Sequence, residues 1–254
     1  IKMLLLFRTP TEVIMLSLIL IFTYVTRGGV ECVARINELL FPILFIPFFI
    51  ILLFSVPSIE IDNLFPIMQT PPIKIITAIP ATAISFGGIE FGLYYLGFVK
   101  EPQKAYRAVA MAVGFITFFF LIVTLLCVAA FGVTSTPDMI WPLVSLLRTI
   151  NFPGLFIERL EGFIIPLWMM TVFTTLVSSY FIVSYSLSKV IGTREQKQYV
   201  VPLTLVIYYL ALQPESLPQL FEWSNLVFPT VIPLHLYLLP VVMLIIARMR
   251  KKGV

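Results

Sequence analysis

The stretch ISFGGIEFGLYYLGF, residues 84–98, places a carboxylate, Glu90, two residues after paired glycines, Gly87 and Gly88, inside a long apolar run. An ionised carboxylate deep in hydrocarbon costs at least ~2.5 kcal/mol, so Glu90 is expected to be protonated, paired or turned toward a polar cavity. Each glycine weakens a helix by about 1 kcal/mol relative to alanine. Two of them beside a carboxylate and the Ser85 hydroxyl point to local unwinding, with Phe86 on its edge. A helix broken at membrane depth turns its freed amides toward anionic groups and its freed carbonyls toward cations. A second reading uses the same residues for packing. Gly88 and Gly92 form a GxxxG that lets two helices approach closely, with Glu90 bonded to a neighbouring helix. Under the first reading Gly87 and Gly88 offer backbone groups to a solute, and Glu90 orders the break or bonds a partner helix.

A second polar seam lies in PLWMMTVFTTLVSSYFIVSYSLSK, residues 166–189. Trp168, Thr171, Thr175 and Ser178 recur at spacings of three and four and share one helical face, flanked by Thr174. Hydroxyls beside an indole can line a pocket for a small polar molecule. They can equally bond their own backbone or an adjacent helix. Catalytic and metal chemistry has little support. Cys32 and Cys127 fall in different segments, and His235 is the single histidine. It reads as a helix-packing residue with a local hydrogen bond. Neither HExxH nor GxxxxGK[ST] occurs, and no nucleophile–base pair is apparent, so neither an enzyme nor a metal or other cofactor is expected.

The elements that carry these residues are set by the solvent. Of 254 residues, 59% are hydrophobic and 12% charged, and the mean hydropathy is +1.02. Soluble domains average about 25% charged residues. A chain this apolar cannot cover itself with polar groups, and a lipid bilayer is its expected surroundings. Seven apolar runs lie near 11–27, 36–56, 73–98, 106–133, 162–188, 199–214 and 225–247. Most reach the ~20 residues of a spanning helix. They lack the ~10-residue alternation of a membrane β-barrel, so the expectation is one all-α polytopic transmembrane domain over residues 1–254.

Lys and Arg orient the runs. Arg27, Arg35, Lys100, Lys104, Arg107, Lys189, Arg194, Lys197, Arg248, Arg250, Lys251 and Lys252 fall in one set of connectors. The alternate set holds Lys2, Arg8, Lys74, Arg148 and Arg159. The asymmetry puts the C-terminus in the cytoplasm and residue 1 outside. The tail RMRKKGV follows a run directly and reads as a topogenic anchor rather than a nucleic-acid patch. Between the fourth and fifth runs, residues 134–161 form an extracytoplasmic segment. Met139–Ile150 is expected to be a short interfacial helix with Trp141 as anchor, followed by a turn at Asn151-Phe152-Pro153-Gly154. Glu158 and Glu161 suit a helix start, and Arg159 can pair with either. The opening at Ile1, with no secretory signal and an external N-terminus, implies that earlier spans precede this sequence.

Several motifs in order then carry a resemblance: RTP at 8–10, FGGIEF at 86–91, the KEPQKA connector, WPLVSLLRTINFPG, and FIERLEGFIIPLW. Together they resemble the spore-germination permease family, the B subunit of GerA-type germinant receptors within the amino acid–polyamine–organocation superfamily. The resemblance implies a LeuT-like bundle of two inverted five-helix repeats, of which this chain holds helices four to ten. SFGGIEF would be the break of helix six and the Thr171–Ser178 seam part of helix eight. Ser85, Phe86, Gly87, Gly88 and Glu90, with Trp168, Thr171, Thr174, Thr175 and Ser178, would then border the ligand site. It further implies germinant sensing in the spore inner membrane. The ligand would be an amino acid, nucleoside or sugar, and the partners an A subunit and a lipoprotein C subunit. A proton- or sodium-coupled amino acid transporter of the same superfamily is the alternative, with Glu90 as proton carrier.

Overall fold

The computed structural model describes residues 8–66, 69–149, 161–193 and 195–250. Among them there are helices and turns and no strand. The run at 11–27 is α1 (Thr11–Arg27), ended by Arg27 and a Gly28–Gly29 corner. Gly29 takes φ 83° there, a left-handed conformation open to a residue without Cβ. The next helix, α2 (Val30–Leu53), starts six residues ahead of the apolar run. Its first turns are polar and are held by the Arg35–Glu31 ion pair at 2.6 Å.

The third run is divided. α3 (Pro72–Ala83) passes through a 3₁₀ turn (Ile84–Phe86) into the glycine pair, and α4 (Phe91–Tyr95) resumes beyond it, ending in a further 3₁₀ turn (Leu96–Phe98). The fourth run is α5 (Pro102–Ser135), kinked at Gly132. α6 (Pro142–Thr149) follows, then α7 (Glu161–Ile191) and α8 (Lys197–Ala211). The last run is α9 (Leu217–Pro233), a five-residue π segment (Leu234–Leu238) and α10 (Leu239–Met249).

Among the described residues, three helical stretches are long and apolar enough to cross a bilayer: Val30–Leu53, Gln103–Asp138 and Ile165–Ile191. The other four runs are helical over shorter stretches. Prolines 42, 47, 166 and 202 lie inside helices, as membrane helices tolerate when neighbours re-satisfy the freed carbonyls. The turn expected at 151–154, Glu158, Arg159 and the terminal lysines lie outside the described residues.

The core is the meeting of α1, α2, α7 and α8. Ile19, Phe22 and Val25 pack with Val33, with Val177, Phe181 and Ile182, and with Val200. A buried hydroxyl chain crosses it: Tyr180 Oη to Thr204 Oγ1 at 2.6 Å, and Thr204 to Thr23 at 2.8 Å. Tyr180 also donates to the Val200 carbonyl. Each hydroxyl thereby finds a partner where water is excluded. A phenylalanine ladder joins α2 to α5, with Phe45 edge-on to Phe115 and Phe119 at 4.9 and 5.6 Å. Large apolar side chains such as Ile75, Met111, Leu205 and Leu226 face outward. That is the surface a helix presents to hydrocarbon rather than water.

Candidate functional site

The break is a change of hydrogen-bond register. Between Phe86 and Leu93 the amides of Ile89, Phe91, Gly92 and Leu93 bond carbonyls three residues back, at 3.0–3.2 Å, in place of four-residue steps. Gly88 lies at φ 106°, outside the range of L side chains. A Cβ built on Gly88 meets nothing within 4 Å. Close packing therefore does not account for this glycine, and backbone conformation does. At Gly92, the other half of the GxxxG, a Cβ would make only an ordinary contact with Val109, at 3.6 Å.

Glu90 reaches backward. Its Oε2 accepts the Gly88 amide at 2.8 Å, a well-formed hydrogen bond. The carboxylate thus closes the turn that its glycines open, as the first reading of the sequence anticipates.

Beside the break lies an open recess of about 320 Å³, lined by Ser85, Phe86, Gly87, Gly88, Ile89 and Gly92 and by Val109, Ala112, Val113 and Ile116 of α5. Roughly 300–1,000 Å³ is the span of small-molecule pockets. The wall is mainly apolar, with Ser85 and Gly87 exposed on it, while the Gly88 amide is taken by Glu90 and its carbonyl by the Phe91 amide. The α5 side was not singled out from the sequence, although Val109, Ala112, Val113 and Ile116 recur at helical spacing. Nothing polar marks them there as more than a packing stripe.

The hydroxyl seam of α7 does not reach this recess. Thr171 donates to the Trp168 carbonyl at 2.6 Å, and Thr174 and Thr175 to the Thr171 carbonyl at 2.8 and 3.0 Å. All three thus satisfy themselves on their own helix. Trp168 sits edge-on to Trp141 at 6.0 Å. Ser178 is buried and accepts from Asn37 Nδ2 of α2 at 3.0 Å. The structure brings Ser85, Phe86, Gly87 and Gly88 together at the recess. Glu90 braces that turn, and the α7 residues stand apart from it.

His235 also departs from expectation. It lies in the π segment, and its buried Nδ1 has no hydrogen-bond partner among the described residues. Among those residues no three His, Cys, Asp or Glu side chains gather as a metal site would require.

Among the described residues, three helices long and apolar enough to cross a bilayer define a helical membrane protein. The chain belongs to the spore permease family, whose model, described as "Spore germination protein", matches residues 1–220. It is 30% identical over 248 residues to spore germination protein YndE of Bacillus subtilis, covering 96% of this chain and 67% of that protein. It is 26% identical to spore germination protein A2 of the same organism over 99% of this chain and 68% of the relative. Spore germination protein B2, also of B. subtilis, is 24% identical over 86% of this chain and 60% of its own length. The chain thus spans about two thirds of the length of these curated relatives. No solved structure matches it significantly.

Proposed function

We propose that this chain is the ligand-sensing, permease-like membrane subunit of a spore germinant receptor, and that it binds a small germinant at the break between α3 and α4. Membership of the family supports a role in germination. The observation that carries the site is the interrupted helix at Gly87–Gly88, opening onto the recess against α5. An amino acid, nucleoside or sugar has the size for such a recess, and backbone amides and carbonyls recognise its polar ends. Trp168, Thr171, Thr174, Thr175 and Ser178 stay in this reading as residues of the wider site, although none lines the recess.

In this reading the fold is one inverted-repeat transmembrane domain, the seven runs cross the bilayer of the spore inner membrane, and the C-terminus is cytoplasmic. Germinant binding shifts a conformational equilibrium that larger A and lipoprotein C subunits transmit. Such a ligand acts only through its differential affinity for two states, on a coupling scale of about 1–3 kcal/mol.

The test uses the full-length subunit in spores and in proteoliposomes. Spores carrying Gly88→Leu with normal subunit abundance should lose the response to free amino acids, nucleosides or sugars that the parent spores show. Proteoliposomes of the unmodified protein should bind the effective compound without accumulating it. Sustained accumulation would favour the transporter reading, and an undiminished Gly88→Leu response would remove the break from the binding site.

A further inference from the structure

The two halves of the divided third run are held differently. α3 exposes Ile73, Ile75, Ile76 and Ile79. The half after the break is seated on α7: the Tyr95 ring stacks on Phe181 at 5.8 Å and 11°, Phe181 stacks on Tyr185 at 5.9 Å and 12°, and Phe98 sits edge-on to Tyr185 at 4.9 Å. At one end of this aromatic track three polar groups meet. Asn37 Nδ2 of α2 donates to Ser178 Oγ of α7 at 3.0 Å. The Tyr95 hydroxyl lies within hydrogen-bonding reach of Ser178. Yet the Tyr95 hydroxyl and Asn37 Oδ1, both buried, have no hydrogen-bond partner of ordinary geometry among the described residues. One is a donor and the other an acceptor.

Buried polar groups are nearly always paired, and an exception calls for a cause. Here a small shift of α4 would bring the missing partner into place. Nearly parallel rings can slide over one another with little loss of contact, because offset stacking is itself favoured. The i to i−3 turns at 86–93 interrupt the helix between α3 and α4.

We propose that Tyr95, Ser178 and Asn37 form a latch between the post-break half of the third run and the α2–α7 pair. It closes when α4 slides along Phe181 and the Tyr95 hydroxyl joins the Asn37–Ser178 hydrogen bond. Tyr95 and Asn37 are positioning residues: they touch no part of the recess, and they fix where the second wall of the break stands. The latch itself does not depend on which germinant, if any, the recess binds.

Hydrogen–deuterium exchange of the full-length protein in lipid nanodiscs, without added ligand, tests this. Tyr95→Phe keeps the ring stack and removes only the hydroxyl. It should raise the exchange rate of residues 91–98 about five-fold or more while leaving α1 unchanged. Ser178→Ala should do the same, and the double variant should add nothing further. Unchanged or slower exchange in Tyr95→Phe would overturn the latch, as would effects that multiply in the double variant. Because no germinant is present, failure here leaves the binding reading standing, and failure of that reading leaves the latch standing.

Discussion

The Glu90 carboxylate accepts the backbone amide of Gly88, two residues behind it, at 2.8 Å. An acid in an apolar run and a glycine at φ 106° are thereby parts of one device. The glycine allows a turn that other residues resist, and the acid holds it. Neither is explained by helix–helix contact, since a Cβ at Gly88 would meet open space.

Glu90→Ala should therefore destabilise the protein by about 0.5–1.5 kcal/mol, the net worth of one part-buried hydrogen bond. Glu90→Gln, which retains an acceptor oxygen, should lose distinctly less. Thermal unfolding in detergent micelles, read against the unmodified protein, orders the three.

Strain rather than collision governs substitution at Gly88. Alanine there should cost about 1–3 kcal/mol through the backbone alone, and Asn, which tolerates positive φ better, should cost less than Val. Equal losses for Asn and Val in the same unfolding assay would mean that the turn is not held at positive φ.

The hydroxyl chain Thr23–Thr204–Tyr180 ties α1, α8 and α7. Tyr180→Phe should lower stability by roughly 1–2 kcal/mol, because Thr204 loses a partner in the core. A double-mutant cycle with Thr204→Val should show coupling of at least 0.5 kcal/mol, as groups within one network do. Additive losses would mean that the contacts are not energetically linked.

Much of the helix content was legible in the sequence. The apolar run at 11–27 is α1 to the residue, because Pro10 and the Arg27-Gly28-Gly29 sequence punctuate both ends. Boundaries failed where helices extend into polar sequence. α2 begins at Val30, straight after the positive-φ corner at Gly29 and with an exposed Arg35–Glu31 pair on its first turns, and hydropathy does not register such a turn. α9 begins at Leu217 rather than 225, capped by Ser216, whose hydroxyl accepts the Gln219 amide at 3.4 Å, while Gln219 reaches back to the Glu215 amide at 2.8 Å. That S-x-x-Q signature was present in the sequence. The π segment around His235 had no comparable signal.

The candidate site was half legible. Paired glycines beside an acid fit either a break or close packing, and the backbone at Gly88 shows the break. The opposite wall on α5 is made of Val109, Ala112, Val113 and Ile116, residues that any packed helix uses. The threonines of α7 have the spacing of a pocket lining, but Thr171, Thr174 and Thr175 satisfy their own carbonyls. One-dimensional spacing places hydroxyls on a face and does not say whether a hydroxyl turns inward or along its helix.

In the function proposed here, a solute meets the main chain in the recess beside the break. The most direct test fills that recess from the far wall. Val113→Phe adds bulk from α5 without touching the glycines or Glu90. Spores carrying it at normal subunit abundance should fail to respond to the compound that germinates the parent strain. A full response at unchanged concentration would contradict the account.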